Sequence, residues 1–135
     1  LVSSSTLAIM AQRLVRRICP RCKEGYAPDR ESLVELGVSP DVPPGTVVYR
    51  GLGCKECSDR GYYGRTGIFE LLVMTPRIQD LVLQDADSNV IKRAAKKDKM
   101  RTLREDGASK VFQGISTIDE VLRVTREDLL DVVTD

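Results

Sequence analysis

The sequence predicts an α+β fold, mostly α, in which a small irregular lobe with short strands precedes a compact bundle of short helices. Three observations carry this. Residues 19–66 are rich in turn-forming residues and hold all four cysteines, as "CPRC" and "CKEC". From Thr75 onward, helix-start signals recur every 10 to 15 residues or so. Length and composition suit one domain or two small lobes sharing a surface: 135 residues, 41% hydrophobic and 30% charged.

In chain order, Leu7, Ile9, Met10, Leu14, Val15 and Ile18 recur at near-helical spacing behind possible Ser/Thr caps, predicting a helix from Ser5 to Ile18 that runs into Cys19. "PDRESLVELG" predicts a short helix capped by Asp29 and ended by Gly37. "SPDVPPGT" is a connector whose prolines and glycine exclude a continuous helix, and "TVVYRGLGC" predicts a strand entering the second bracket. "GYYGRTG" reads as a hairpin turn or a loop around a ligand, and "GIFELLVM" as a strand. Thr75 and Pro76 form an N-cap and first-turn proline, and Ser88 caps "NVIKRAAKK". "TLRE" at Thr102 and "TIDE" at Thr117 are capping boxes, in which the glutamate reaches back to the cap amide. Gly114 ends the helix begun at Thr102, and "TREDLLDVVTD" is a last helix or a fraying tail.

The formal net charge is +1, so no global pull toward nucleic acid or membrane exists. Aromatic residues make up 4% of the chain and tryptophan is absent, too few rings for a single-strand stacking platform. Two basic stretches, Arg13 to Lys23 and Lys92 to Arg104, and an acidic last twenty residues read foremost as solvated helix faces. No apolar run approaches the roughly 20 residues that span a bilayer. The charges of "LVSSSTLAIMAQRLVRR" follow its apolar residues, the reverse of a secretory signal. Beginning at Leu already in a helical pattern, the chain reads as a piece of something longer.

The cysteines admit three readings. Two disulfides would need an oxidising compartment, which nothing indicates. A redox C-x-x-C usually occurs once, beside a βαβ pattern. Two brackets with 31 residues between Cys22 and Cys54 match a four-thiolate zinc site, since the intervening chain can be any loop that brings the brackets together. Pro20 and Gly53 suit tight turns, and Arg21, Lys23 and Lys55 put positive charge near a site of net negative charge. Structural zinc on Cys19, Cys22, Cys54 and Cys57 is therefore the favoured reading, with disulfides and unliganded thiols as alternatives. A closed site of this kind holds structure and catalyses nothing.

No catalytic constellation appears. The chain has no histidine, which excludes Ser-His-Asp, Cys-His and His-metal centres, and no G-x-x-x-x-G-K-[ST] occurs. The isolated chain is therefore expected not to be an enzyme. Arg65, between Gly64 and Gly67, could hold a phosphate or a neighbouring subunit's carboxylate with a bidentate fork, or could be a surface arginine of a hairpin.

The succession "AQRLVRRICPRC", "CKECSDRGYYGRTGIFELL" and "MRTLREDGASKVFQGISTIDEVLRVT", covering roughly residues 11–125, resembles the C-terminal portion of the type II secretion ATPases, hexameric cytoplasmic motors related to the type IV pilus assembly ATPases. "GRTGIFELL" and "LREDG" lean toward the secretion branch. The resemblance implies that residues 1–18 are the terminal helix of a RecA-like ATPase core whose nucleotide-binding segments lie upstream. Residues 19–66 would then be a tetracysteine zinc subdomain and 67–135 a helical C-terminal subdomain. ATP and Mg²⁺ would bind only the full-length parent, at the cytoplasmic face of the inner membrane, where its partners are the other subunits of a homohexamer and a membrane-anchored platform. Arg65 matches the arginine of the family's G-R-T-G turn, on the nucleotide side of the motor. The corresponding region of a pilus assembly ATPase, or a free-standing zinc ribbon that binds nucleic acid, are the alternative readings. Within the favoured one, no nucleic acid is expected as a partner.

Overall fold

The computed structural model describes residues 8–98 and 100–133; Ser5, Leu7, Lys99 and Asp135, on which the sequence carries expectations, lie outside them. Four strands and five helices follow in the order β1 (Ala8–Ile18), β2 (Lys23–Tyr26), α1 (Arg30–Leu36), β3 (Val48–Gly51), β4 (Tyr62–Val73), α2 (Pro76–Leu83), α3 (Ser88–Lys97), α4 (Leu103–Phe112) and α5 (Ile118–Val133). The class is α+β, as the sequence predicts.

One element departs from expectation. Ala8–Ile18 is a strand, not a helix, and pairs antiparallel with β4 from Ala8↔Val73 to Arg16↔Arg65. The spacing of its apolar residues fits both periods over so short a window, and β-branched Ile9, Val15 and Ile18 suit a pleated surface. The decisive factor is non-local: a twelve-residue β4 offers backbone partners to nearly every residue of β1. Directly opposed residues share a face of the ladder. Met10, Leu14, Phe69, Leu71 and Val73 fall on one face and remain well exposed, while Val15 and Ile68 on the other are fully buried.

"GYYGRTG" is likewise neither a hairpin turn nor a loop but the start of β4. The register shifts between Arg16/Arg65 and Ile18/Tyr62, so Tyr63 and Gly64 together face Arg17. Such a bulge bends the strand, and Gly64 supplies the left-handed conformation it needs at φ 80°.

The smaller ladder pairs β2 with β3, Lys23↔Gly51 through Tyr26↔Val48. Asp29 caps α1 through Ser32 N–H at 2.7 Å, and Gly37 closes it in the left-handed region. Thr75 caps α2, with Pro76 in its first turn. The cap of α3 is Asp87, one residue earlier than the sequence reading, its carboxylate accepting from Asn89 N–H. Thr102 and Glu105 form the complete capping box of α4, and Gly114 follows its end at φ 76°. The last segment continues α5 to Val133.

One core joins the lobe, the long ladder and the last two helices. Leu36 and Val48 from the cysteine-bearing lobe join Val15 and Ile68 of the long ladder and Leu103, Ala108, Val111, Ile118 and Val121 of α4 and α5. Gly107 lets α4 approach α5 closely: a methyl there would lie 2.4 Å from a methyl of Val121.

Candidate metal centre

Both ladders end at the cysteines. Cys19 directly follows β1 and Cys22 directly precedes β2, while Cys54 and Cys57 lie in the turn joining β3 to β4. Cys19 N–H donates to the carbonyl of Gly61 at 3.0 Å, and Leu52 N–H to the carbonyl of Cys22 at 3.1 Å. The second bracket closes on itself, with Asp59 N–H to Cys54 O at 2.8 Å and Arg60 N–H to Cys57 O at 3.2 Å. Ser58 and Asp59 adopt left-handed φ values to complete this turn. Where the ladders converge, Gly51 and Gly61 touch backbone to backbone: a Cβ at Gly51 would stand 2.0 Å from the Gly61 carbonyl oxygen.

These constraints gather four sulfurs, all within 4.8 Å of one another. Cys19 and Cys54 Sγ are 3.7 Å apart, Cys22 and Cys57 3.8 Å, and Cys54 and Cys57 3.7 Å. None of these is a disulfide; all four thiols are free. Four sulfurs at about 2.3 Å from a central ion in tetrahedral geometry lie about 3.8 Å apart. The three separations meet that requirement, so the donor set fits a thiolate-bound metal ion.

The backbone prepares the sulfurs for negative charge. N–H groups of Cys54 and Gly61 donate to Cys57 Sγ at 3.3 and 3.2 Å, and Gly53 N–H donates to Cys22 Sγ at 3.3 Å. Burial tends to raise the Cys57 thiol, but the amides of Gly61 and Cys54 outweigh it and hold its pKa down to about 6. Burial dominates at Cys22, whose thiol is pushed up to about 11. Lys23, expected near the sulfurs, lies over the Tyr49 ring with Nζ 4.5 Å from its centre.

Arg65 is exposed and stands directly across the ladder from Arg16. Among the described residues no carboxylate pairs with it. Arg16, by contrast, belongs to a cluster that sequence reasoning missed. Glu120, 1% exposed, accepts from Arg16 N–H at 2.8 Å and Arg16 Nη2 at 3.0 Å, and from Arg123 Nε and Nη2 at 3.0 and 2.9 Å. Burial works to raise its carboxyl, but the two guanidinium groups and the amide hold it down to about 2. Thr117 does cap α5 through Glu120 N–H, yet the Glu120 side chain turns to the arginines, so the second capping box is half made. In the second basic stretch Lys92 pairs with Glu70, Lys96 with Glu105 and Arg101 with Asp106.

Comparison with known proteins adds a second line. A family described as "Type II/IV secretion system protein" matches residues 1–123. The chain is 44% identical over 128 residues to the type II secretion system protein E of Pseudomonas aeruginosa, covering 95% of this chain and 25% of that protein. Against the type IV pilus assembly ATPase PilB of Thermus thermophilus it is 42% identical over 126 residues, 93% of this chain and 14% of the relative. Against the type II secretion system ATPase E of Vibrio cholerae the figures are 41% over 127 residues, 94% and 25%. The chain thus spans a quarter or less of the length of these relatives. Among the described residues, no helix is long and apolar enough to cross a membrane.

Proposed function

The chain belongs to the type II/IV secretion system protein family, and from that membership we propose that it serves as the non-catalytic, zinc-stabilised C-terminal region of a hexameric cytoplasmic ATPase that powers type II protein secretion. The observation that carries the metal part of this reading is the convergence of Cys19, Cys22, Cys54 and Cys57 at separations suited to one tetrahedral ion. An all-sulfur donor set favours Zn²⁺ over hard cations, and a site closed by four protein ligands leaves no position for substrate. When bound, the ion supplies a cross-link. The chain's own residues do the rest: the two ladders bring the brackets together, and the amides of Gly53, Cys54 and Gly61 stabilise charge on sulfur.

ATP hydrolysis belongs in this reading to the full-length parent, bound at the inner membrane face to a membrane-anchored platform. Residues 1–18 close the ATPase core, with Ala8–Ile18 a strand instead of the helix first expected, 19–66 form the zinc subdomain and 67–135 the helical subdomain. The exposed apolar row Met10, Leu14, Phe69, Leu71 and Val73 supports this, as a face that gains by being covered in a larger assembly. Arg65 meets a nucleotide phosphate or an adjoining subunit's carboxylate in this reading, which its exposure and the lack of a carboxylate partner among the described residues support. The near-equal identities to secretion and pilus relatives, 44% and 42%, favour the pilus motor as the second reading.

Elemental analysis of the purified chain tests the proposal. One zinc per chain is expected, falling toward zero in Cys19→Ser and in Cys54→Ser, with residues 19–66 loosened and the later helices keeping most of their helicity. Equal zinc in the variants, or phosphate release from ATP by the chain alone, would sink the reading.

A further inference from the structure

The short turn between α4 and α5 makes contacts that neither the capping role of Thr117 nor the core requires. Ile115 accepts from Ile18 N–H at 2.9 Å, and Ser116 Oγ donates to the Arg16 carbonyl at 2.8 Å. The hydroxyls of Thr117 and Tyr62 share a hydrogen bond at 2.7 Å. Glu120 holds both the amide and the guanidinium of Arg16, and that guanidinium lies over the Tyr62 ring at 4.2 Å. Ser116, Thr117 and Glu120 are 0%, 6% and 1% exposed, so water does not compete for these bonds.

All the partners lie on two strand ends. Arg16 and Ile18 lead into Cys19; Tyr62 follows Gly61, whose carbonyl takes Cys19 N–H and whose own N–H donates to Cys57 Sγ. The sulfurs clamp the Ile18↔Tyr62 end of the ladder from one side, and the turn grips the same end from the other. We propose that residues 115–120 are a joint through which metal occupancy at the cysteines is felt at the start of α5. This rests on the zinc reading above. Two constraints on one ladder end stabilise each other, and such coupling is reciprocal: whatever orders the joint tightens the metal, and the metal orders the joint.

The test uses the whole chain. Zinc content is measured first, since a chain that takes up no zinc refutes the metal reading and not the joint. Amide hydrogen exchange is then followed with zinc bound and after chelation. Protection is expected to fall at least tenfold at residues 115–120 as well as in the lobe, while α2 and α3 stay within twofold. Unchanged exchange at 115–120 while the lobe loses protection overturns the proposal. The reciprocal arm measures zinc affinity by chelator competition in Tyr62→Phe, which keeps the ring and removes only the hydroxyl. A loss of about three- to tenfold is expected from one buried hydrogen bond. Unaltered affinity, or an equal loss in Arg77→Ala, whose partner Asp98 lies in the α2–α3 region, overturns it too.

Discussion

Replacing Glu120 by Gln should cost this chain about 2 kcal/mol at neutral pH, and the cost should vanish in acid. The Glu120 carboxyl sits at about 2 against an ordinary value of 4.5. A difference of roughly 2.5 pH units corresponds to about 3 kcal/mol at 1.36 kcal/mol per unit. Arg16 and Arg123 are about half exposed, 46% and 59%, so solvent screens part of the attraction, and about 2 kcal/mol is the working figure. The sign follows from the direction of the shift. A carboxyl depressed in the folded state contributes its full stabilisation above its unfolded value and loses it as pH falls through the folded one. The window is therefore about pH 5 to 2. Urea denaturation of both proteins at steps from pH 7 to pH 2.5 measures it. Zinc content is measured alongside, and the comparison uses the steps at which the two proteins hold the same amount. That difference should shrink from about 2 kcal/mol at pH 7 toward zero near pH 2. A difference that stays constant across the window would refute the assignment of Glu120 as a buried, doubly paired carboxylate.

On the proposed function, Arg65→Ala in the full-length protein should lower ATP turnover about tenfold or more, as expected for loss of one charge-assisted contact, with metal content unaltered; unchanged turnover returns Arg65 to the solvated surface. Gly51→Ala forces a methyl onto the Gly61 carbonyl, so stability should drop by about 3 kcal/mol or more and zinc affinity should fall, both readable by denaturation and chelator competition. Thr102→Ala removes one side of the α4 capping box and should cost about 1 kcal/mol, with zinc content unaltered.

What the sequence disclosed and what it hid divide along sequence separation. The caps at Asp29, Thr75 and Thr102 and the closures at Gly37 and Gly114 were legible because each motif spans only a few residues and its chemistry is local. The cysteine cluster was legible for a different reason: no other arrangement of two such brackets satisfies a tetrahedral ion as simply. β1 was misread because its fate rests on β4, more than forty residues away, and no window of local periodicity contains that partner. Glu120 was read as the reciprocal half of a capping box, which its spacing from Thr117 permits. Its partners are Arg123, three residues on, and Arg16, which lies 104 residues earlier and which nothing near Glu120 announces. The bulge at Gly64 was half seen: its glycines signalled unusual backbone, but not that a long strand would carry it.

Because Leu36 and Val48 sit among the same side chains as Val111 and Val121, the cysteine-bearing part shares its apolar interior with its neighbours. Excised as a mini-protein or grafted onto a foreign scaffold, it would arrive with those two residues in water. Modules that can be shuffled between proteins need the opposite property. This one is soldered to its neighbours, and any lineage that discards it must also rebuild the helices it leans on.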